Sequence, residues 1–242
     1  MLLIGDSSRP VTDLEIIIPA FNEATRLVAS LQKTISFLEA QPWRSRLVVV
    51  DNGSADETAA VARAVTSEQV ELAVIGCAWP GKGATVRRGL LAGRAPFIGF
   101  FDADLSTPVS TLVRTMEELR AGAVAVIASR HAPGGRFAQP QPLGRRLGGS
   151  AFRALARPLV PTIHDTQCGF KFFQRETVQA AARRSRLDGF AFDVELLHHV
   201  QASGGRIVEL PVEWHDDRRS TFHPVRDGVA SFAAVFQLYG IR

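Results

Sequence analysis

Residues 96–108 read "PFIGFFDADLSTP". The stretch begins as an apolar run fit for a buried strand and ends on two carboxylates, Asp102 and Asp104, one residue apart. On extended backbone, side chains two apart point to the same face. The same shape recurs along the chain. "LEIIIPA" ends at Ala20 and is followed by Phe21, Asn22 and Glu23; "RLVVV" is followed by Asp51; "VELAVIG" leads to a glycine-rich turn at Lys82; "AVAVIASR" ends on Arg130. Helix-period segments fill the intervals, about 22–40, from Ser54 onward, from "GKGATVRRG" onward, and up to Arg120. Strands alternating with helices predict an α/β fold, a mostly parallel central sheet flanked by helices on both faces. Ligands of such sheets sit beyond the carboxyl ends of the strands. The polar residues that close these runs are therefore expected to meet in one cleft.

Two helix starts carry local signals. Ser54 with Glu57 three residues on reads as a capping box, and Thr107-Pro108 as an N-cap and first helical residue. With that helix capped by Thr107, Asp102 and Asp104 are left to other chemistry. Beyond Arg130, "HAPGGRFAQPQPLGRR" reads as a mobile loop. A helix over about 144–159 follows, then "HDTQCGFKFFQRE", a helix containing "FDVELLHHVQ" and a strand "RIVELPVEW". The tail, residues 224–242, places Val225, Val229, Phe232, Val235, Phe236 and Tyr239 at helical spacing.

At 242 residues the chain fits one large domain: a ligand-binding half, 1–130; a second half, 131–223; and the amphipathic tail, 224–242. Its 46% hydrophobic and 21% charged residues are those of a globular protein. The charge is uneven. Through Ser129 there are 12 Lys or Arg against 14 Asp or Glu, whereas from Arg130 onward there are 16 against 10. No acid lies between Glu118 and Asp165, a span that contains Arg130, Arg145 and Arg146. Such a patch attracts phosphates. Two cysteines, Cys77 and Cys168, are too few for a disulfide framework, and no run of ~18 apolar residues occurs. A cytoplasmic protein, with at most peripheral contact at the membrane face, is expected.

Paired carboxylates at a strand end repel unless they share a cation, and hard oxygen ligands suit Mg²⁺ or Mn²⁺ bridging a diphosphate. The competing reading has Asp104 merely beginning a turn. Asp51 could accept from the imide of a pyrimidine or the edge of a guanine, or form an Asx-turn with Asn52-Gly53-Ser54. Pro19, Ala20, Phe21, Asn22 and Glu23 could shape a base pocket, Glu23 being equally suited to a first helical turn. "GKG" around Lys82 lacks the rest of a P-loop, and no G-x-G-x-x-G follows the first strand. Asp193 and Glu195 could act as general bases or begin a helix. His164, Cys168 and the adjacent His198 and His199 have no zinc spacing.

Together, "IIIPAFNEATRL", "VVVDNGSADET", "GKGATVRRG", "FFDADLSTP", "ASRHAPGG", "DTQCGFKFF" and "FAFDVELL" resemble the family 2 glycosyltransferases, and most of all the dolichyl- and polyprenyl-phosphate β-glucosyltransferases and the related mannosyltransferases. The resemblance implies a GT-A fold, a nucleotide-sugar donor and a divalent metal, Mg²⁺ or Mn²⁺. Position by position, it implies that Pro19, Ala20, Phe21, Asn22, Glu23, Asp51 and nearby Lys82 bind the nucleotide. Asp102, Ala103 and Asp104 form the D-x-D element, with Asp102 and Asp104 at the metal. It assigns an acceptor phosphate to Arg130, Arg145 and Arg146, and the catalytic group to Asp193, Glu195 and Arg130. A family Gly-x-Ser-Lys has no lysine here, since Thr221 stands in its place; Arg218, Arg219 and Ser220 become the diphosphate contacts. "DTQCGFK" and "FDVELL" favour glucosyl over mannosyl transfer.

The acceptor implied is a polyprenyl phosphate, with a small metabolite as the rival and GDP-mannose as the rival donor. A non-catalytic nucleotide-sugar-binding protein is the reading of another class, disfavoured by the intact Asp102 and Asp104. Nucleic acid is not expected as a partner, because aromatic residues do not interleave with the arginines. A homo-oligomer is left open.

Overall fold

The computed structural model describes residues 12–215 and 226–240. Seven strands form one sheet: β1 (Leu14–Ala20), β2 (Ser45–Asp51), β3 (Glu71–Gly76), β4 (Phe97–Phe101), β5 (Ala125–Ser129), β7 (Phe170–Gln174) and β8 (Ile207–Pro211). Their spatial order is β3-β2-β1-β4-β7-β5-β8. A two-stranded ribbon joins β6 (Arg136–Phe137) to β9 (Glu213–Trp214). The helices are α1 (Ala24–Glu39), α2 (Thr58–Ala64), α3 (Lys82–Ala92), α4 (Thr111–Arg120), α5 (Leu143–Ala156), α6 (Arg175–Arg184), α7 (Phe192–Ala202) and α8 (Arg226–Tyr239).

The expected α/β sheet is present. Apolar runs such as Ile16 to Ile18 and Leu47 to Val50 are buried on both faces, as parallel strands covered by helices must be. One cluster packs α1 and α4 on one face, around Leu27, Leu31, Leu112 and Met116; another packs α3, α6 and α7 on the opposite face, around Val86, Leu90, Val178 and Leu197. The chain order reverses between β1 and β4, where a crevice opens at the carboxyl edge.

Two parts of the second half were not anticipated. "FKFFQ" is strand β7, antiparallel to both β4 and β5 and inserted between them. Its five residues are Phe170, Lys171, Phe172, Phe173 and Gln174, so the run is broken by a lysine that carries no solvent exposure. Helix α6 follows it directly. The stretch after Arg130 holds β6 as well as irregular chain.

Helix starts also differ from the sequence reading. The capping box does not form. Ser54 donates to Asp51 Oδ1 at 2.5 Å, and α2 begins only at Thr58, whose N–H is taken by Asp56 Oδ1 at 3.0 Å. Likewise α4 begins at Thr111, after a turn in which Thr111 N–H donates to Pro108 O at 3.0 Å. Thr107 turns its hydroxyl toward Cys168 Sγ at 3.6 Å. Helix α8 is amphipathic, but its apolar residues divide. Val235 and Leu238 are buried against the body, Phe232 meets Phe152 edge-on, and Tyr239 donates to Leu155 O. Val229 and Phe236 face outward; Val225 lies outside the described residues.

Close packing between β4 and β7 is visible at Gly99, where a Cβ would stand 2.2 Å from Phe172 Cδ1 and 2.4 Å from Lys171 O. Backbone cannot yield there, so Gly99→Ala is expected to lower stability by about 1–3 kcal/mol, read from chemical denaturation with an unchanged m-value.

Candidate active site

At the β1/β4 reversal lies a cavity of about 590 Å³, a size suited to a small organic ligand. Its walls include Pro19, Ala20, Phe21 and Glu23 after β1, Asn52 after β2, Gly81 and Lys82 at α3, and Asp102, Ala103 and Asp104 after β4. The stretch 187–191 before α7 closes another side, and Asp227 and Ser231 of α8 complete it. That α8 contributes to the cavity was not expected from its apolar spacing.

Loop-to-loop hydrogen bonds shape this edge. Asn22, at φ +55°, gives its N–H to Ser54 Oγ and accepts from Ala55 N–H, both at 2.9 Å. Asp51 accepts from the Ser54 hydroxyl at 2.5 Å, the Asx-turn alternative, and it is Asn52 that borders the cavity. Asn52 in turn donates to Trp79 O at 2.7 Å and accepts from Gly81 N–H at 2.8 Å. The side chains of Asn22 and Asp51 thus hold three loops in place. Glu23 borders the cavity, but both of its oxygens are engaged by Arg26. Arg26, in the first turn of α1, is a cavity cation that the sequence reading did not single out.

"GKG" has a packing explanation. Gly81 sits at φ +115°, and a Cβ there would lie 2.2 Å from Asp188 O; a Cβ on Gly83 would lie 2.5 Å from Phe192 Cβ. Gly83 N–H donates to Asp188 O at 2.7 Å. Only glycine permits this approach, and it brings Lys82 Nζ to 2.6 Å from Asp102 Oδ1. Burial acts to lower the Lys82 ammonium, yet Asp102, helped by Asp193 and Asp104, outweighs it and holds the group above its ordinary value.

Asp104 does begin a turn: its Oδ1 accepts from Ser106 N–H at 2.9 Å. Burial first, and the charge of Asp102 second, raise its pKa. With the ionisation of Asp104 disfavoured by Asp102, and Lys82 paired with Asp102, the donor set is short of positive charge. A divalent cation fits it. Among the described residues no group of three or more His, Cys, Asp or Glu could hold a metal, so further ligands would have to come from a substrate or water.

The remaining assignments separate into distinct places. Asp193 is buried, with Oδ1 2.6 Å from Lys171 Nζ. Burial raises its pKa, while Lys171 and Lys82 offset part of that rise. Glu195 is also buried, and Oε2 accepts the N–H groups of Arg186 and Leu187 at 2.9 and 2.8 Å. It fixes the turn before α7, and neither Glu195 nor Asp193 is among the residues that line the cavity. Arg130 is likewise committed. It binds Asp165 through Nε at 2.7 Å and Nη2 at 2.8 Å, adds its own N–H at 2.9 Å, and lies over Trp214 at 5.3 Å and Phe137 at 5.6 Å. Arg145 and Arg146 are exposed on the first turns of α5, Arg145 over Trp214 at 5.8 Å. Arg130 and Arg145 therefore share the Trp214 ring, and neither is among the residues that line the cavity. Arg218, Arg219 and Ser220 lie outside the described residues.

Among the described residues, His164, His198 and Cys168 have local partners or are buried. His164 pairs with Glu209, His198 meets Leu159 O, and burial pushes the Cys168 thiol up to about 11.

Asp165, missed in the sequence, is 1% exposed along its side chain. Arg130 overrides the effect of burial and holds its carboxyl well below the ordinary 3.8. An acid with a depressed native pKa contributes stability that is complete above its unfolded value and is lost as pH falls. Wild-type stability should therefore decline below about pH 3.8 in part through this pair. Asp165→Asn leaves Arg130 without its counter-charge and is expected to cost about 3 kcal/mol at neutral pH, measured by denaturant titration at both ends of the pH range.

The model of the family "Glycosyl transferase family 2" matches residues 15–180. A dolichyl-phosphate beta-glucosyltransferase of Homo sapiens is 31% identical over 232 residues, covering 89% of this chain and 71% of that protein. One from Trichomonas vaginalis is 29% identical over 212 residues, covering 83% of this chain; the chain spans 63% of that relative's length. Among solved structures, glucosyl-3-phosphoglycerate synthase from Mycobacterium tuberculosis in complex with uridine diphosphate superimposes with a TM-score of 0.70 at 21% identity, over 96% of this chain and 81% of that one. With that fold, the crevice at β1 and β4 and a matching family model over most of its length, the chain belongs to glycosyl transferase family 2.

Proposed function

We propose that this chain is an inverting glucosyltransferase that moves glucose from UDP-glucose to the phosphate of a polyprenyl chain at the cytoplasmic face of a membrane. The observation that carries the reading is the Asp102, Asp104 and Lys82 cluster in the wall of a cavity that Pro19, Ala20, Phe21 and Glu23 also line. The names of the relatives support the glucosyl donor and the lipid acceptor. Among the described residues no helix is long and apolar enough to cross a membrane.

In this reading the nucleoside enters between Phe21 and Asn52, and its diphosphate meets the charged floor. Mg²⁺ or Mn²⁺, held by Asp102 and Asp104, would supply charge stabilisation for the departing diphosphate. Lys82 adds a fixed cation beside it, pre-oriented by the glycine contacts. A phosphate acceptor is anionic at neutral pH and attacks the anomeric carbon in line, needing positioning more than a base. Arg145, Arg146 and the uncommitted edge of Arg130 offer that positioning beside Trp214. Arg218, Arg219 and Ser220 are proposed as diphosphate contacts.

The deciding experiment is calorimetry with UDP-glucose, GDP-mannose and UDP-N-acetylglucosamine, each with Mn²⁺ or Mg²⁺, followed by product analysis with a short polyprenyl phosphate and, separately, phosphoglyceric acid. Metal-dependent binding of UDP-glucose and label in the lipid are expected. Heat from no donor would sink the transferase reading, and transfer only to the small acid would replace the acceptor. Asp193→Asn discriminates further. Transfer to a phosphate should fall but persist, whereas transfer to a hydroxyl, which needs a base, should vanish.

A further inference from the structure

The structure assigns Lys171 as the positioning residue for Asp193 in glucosyl transfer, an assignment that rests on the reading above. Lys171 lies in the middle of the sheet, on β7, and is fully buried. A lysine there is costly unless its charge is answered. Its ammonium has three protein contacts: Asp193 Oδ1 at 2.6 Å, Cys168 O at 2.6 Å, and the Phe100 ring at 5.4 Å. Asp193 Oδ1, for its part, meets no donor among the described residues other than this ammonium, so the ion pair to Lys171 is what holds that oxygen.

The pair is not needed to join its two elements. Helix α7 is already seated by apolar burial of Phe192, Val194, Leu196 and Leu197, and β7 by ladders on both sides. What Lys171 adds is a direction for one carboxylate. That carboxylate stands in the first turn of α7, two residues after Ala191 of the cavity wall, and Lys82 on the same wall feels it as well as Asp102. Removal of Lys171 would leave the Asp193 carboxylate without the partner that fixes its direction, while the contact of Lys82 with Asp102, at 2.6 Å, stays in place.

The test is a double-mutant cycle of Lys171→Met, Asp193→Asn and the pair of substitutions together, assayed for kcat and donor KM on protein confirmed folded by circular dichroism at the assay temperature. If Lys171 acts through Asp193, Lys171→Met loses kcat to within about twofold of Asp193→Asn, the scale of a misplaced reacting group being up to about 100-fold. Donor KM stays within about threefold. The double variant, which replaces a buried ion pair by two neutral side chains, loses no more kcat than Asp193→Asn alone. Three results would overturn the assignment: wild-type kcat in folded Lys171→Met, wild-type kcat in Asp193→Asn, or losses that multiply in the double variant. Should Lys171→Met fail to fold, the double variant against Asp193→Asn decides alone. A wild-type enzyme that turns over no donor would instead count against the transferase reading.

Discussion

Strand β7 runs against both of its neighbours, and the register Phe101↔Phe170 sets its first residue beside the last residue of β4. Because the strand is reversed, the segment that enters it, not the one that leaves it, arrives at the carboxyl edge of the sheet. That brings residues 165–169 to the place where the parallel strands deliver their polar ends. Asp165 receives Arg130, Gly169 lies against Asp102, and Lys171 reaches Asp193. A Cβ on Gly169 would fall 1.9 Å from Asp102 Oδ2, so the first carboxylate of the D-x-D element rests on bare backbone. One short motif, "DTQCGFK", supports three charged groups from three other elements.

The electrostatics of the site follow from that delivery. Three ion pairs around the site join distant parts of the chain: Lys82 with Asp102, Lys171 with Asp193, Arg130 with Asp165. Such pairs add little net stability when complete. Their use is that charges stand oriented before a ligand arrives, so little reorganisation is left for the reaction. Asp104 is the exception, sharing its surroundings with a like charge, and it is the group whose ionised form most wants an added cation.

Much of the first half was legible because parallel strands announce themselves as uninterrupted apolar runs followed by polar ends. "LEIIIPA", "RLVVV" and "FIGFF" gave strands where expected, and the D-x-D pair stands at the cavity. Legibility failed where one residue type serves two purposes. Asn22 and Asp51 were read as facing a ligand because they close strands, yet the loops there need hydrogen bonds to each other, and those side chains supply them. "FKFFQ" was not recognised as a strand because a central lysine contradicts a core pattern until its distant partner is known. Glu195 sits two residues from Asp193, and only the turn at 186–187 shows that it serves backbone N–H groups. Pairings between residues far apart in the chain leave no periodic trace.

The glycines on either side of Lys82 have a kinetic consequence. With Gly81 and Gly83 pressed against the backbone at 187–192, the start of α3 has no slack with which to advance or retreat. Any hand-over of Lys82 from Asp102 to an incoming diphosphate must then take place in the four methylenes of its side chain. Rotations of that kind complete in about picoseconds to nanoseconds, far inside the microseconds to milliseconds of a loop or domain closure. In the proposed transfer, that hand-over would be separated in time from any slower movement that admits the acceptor.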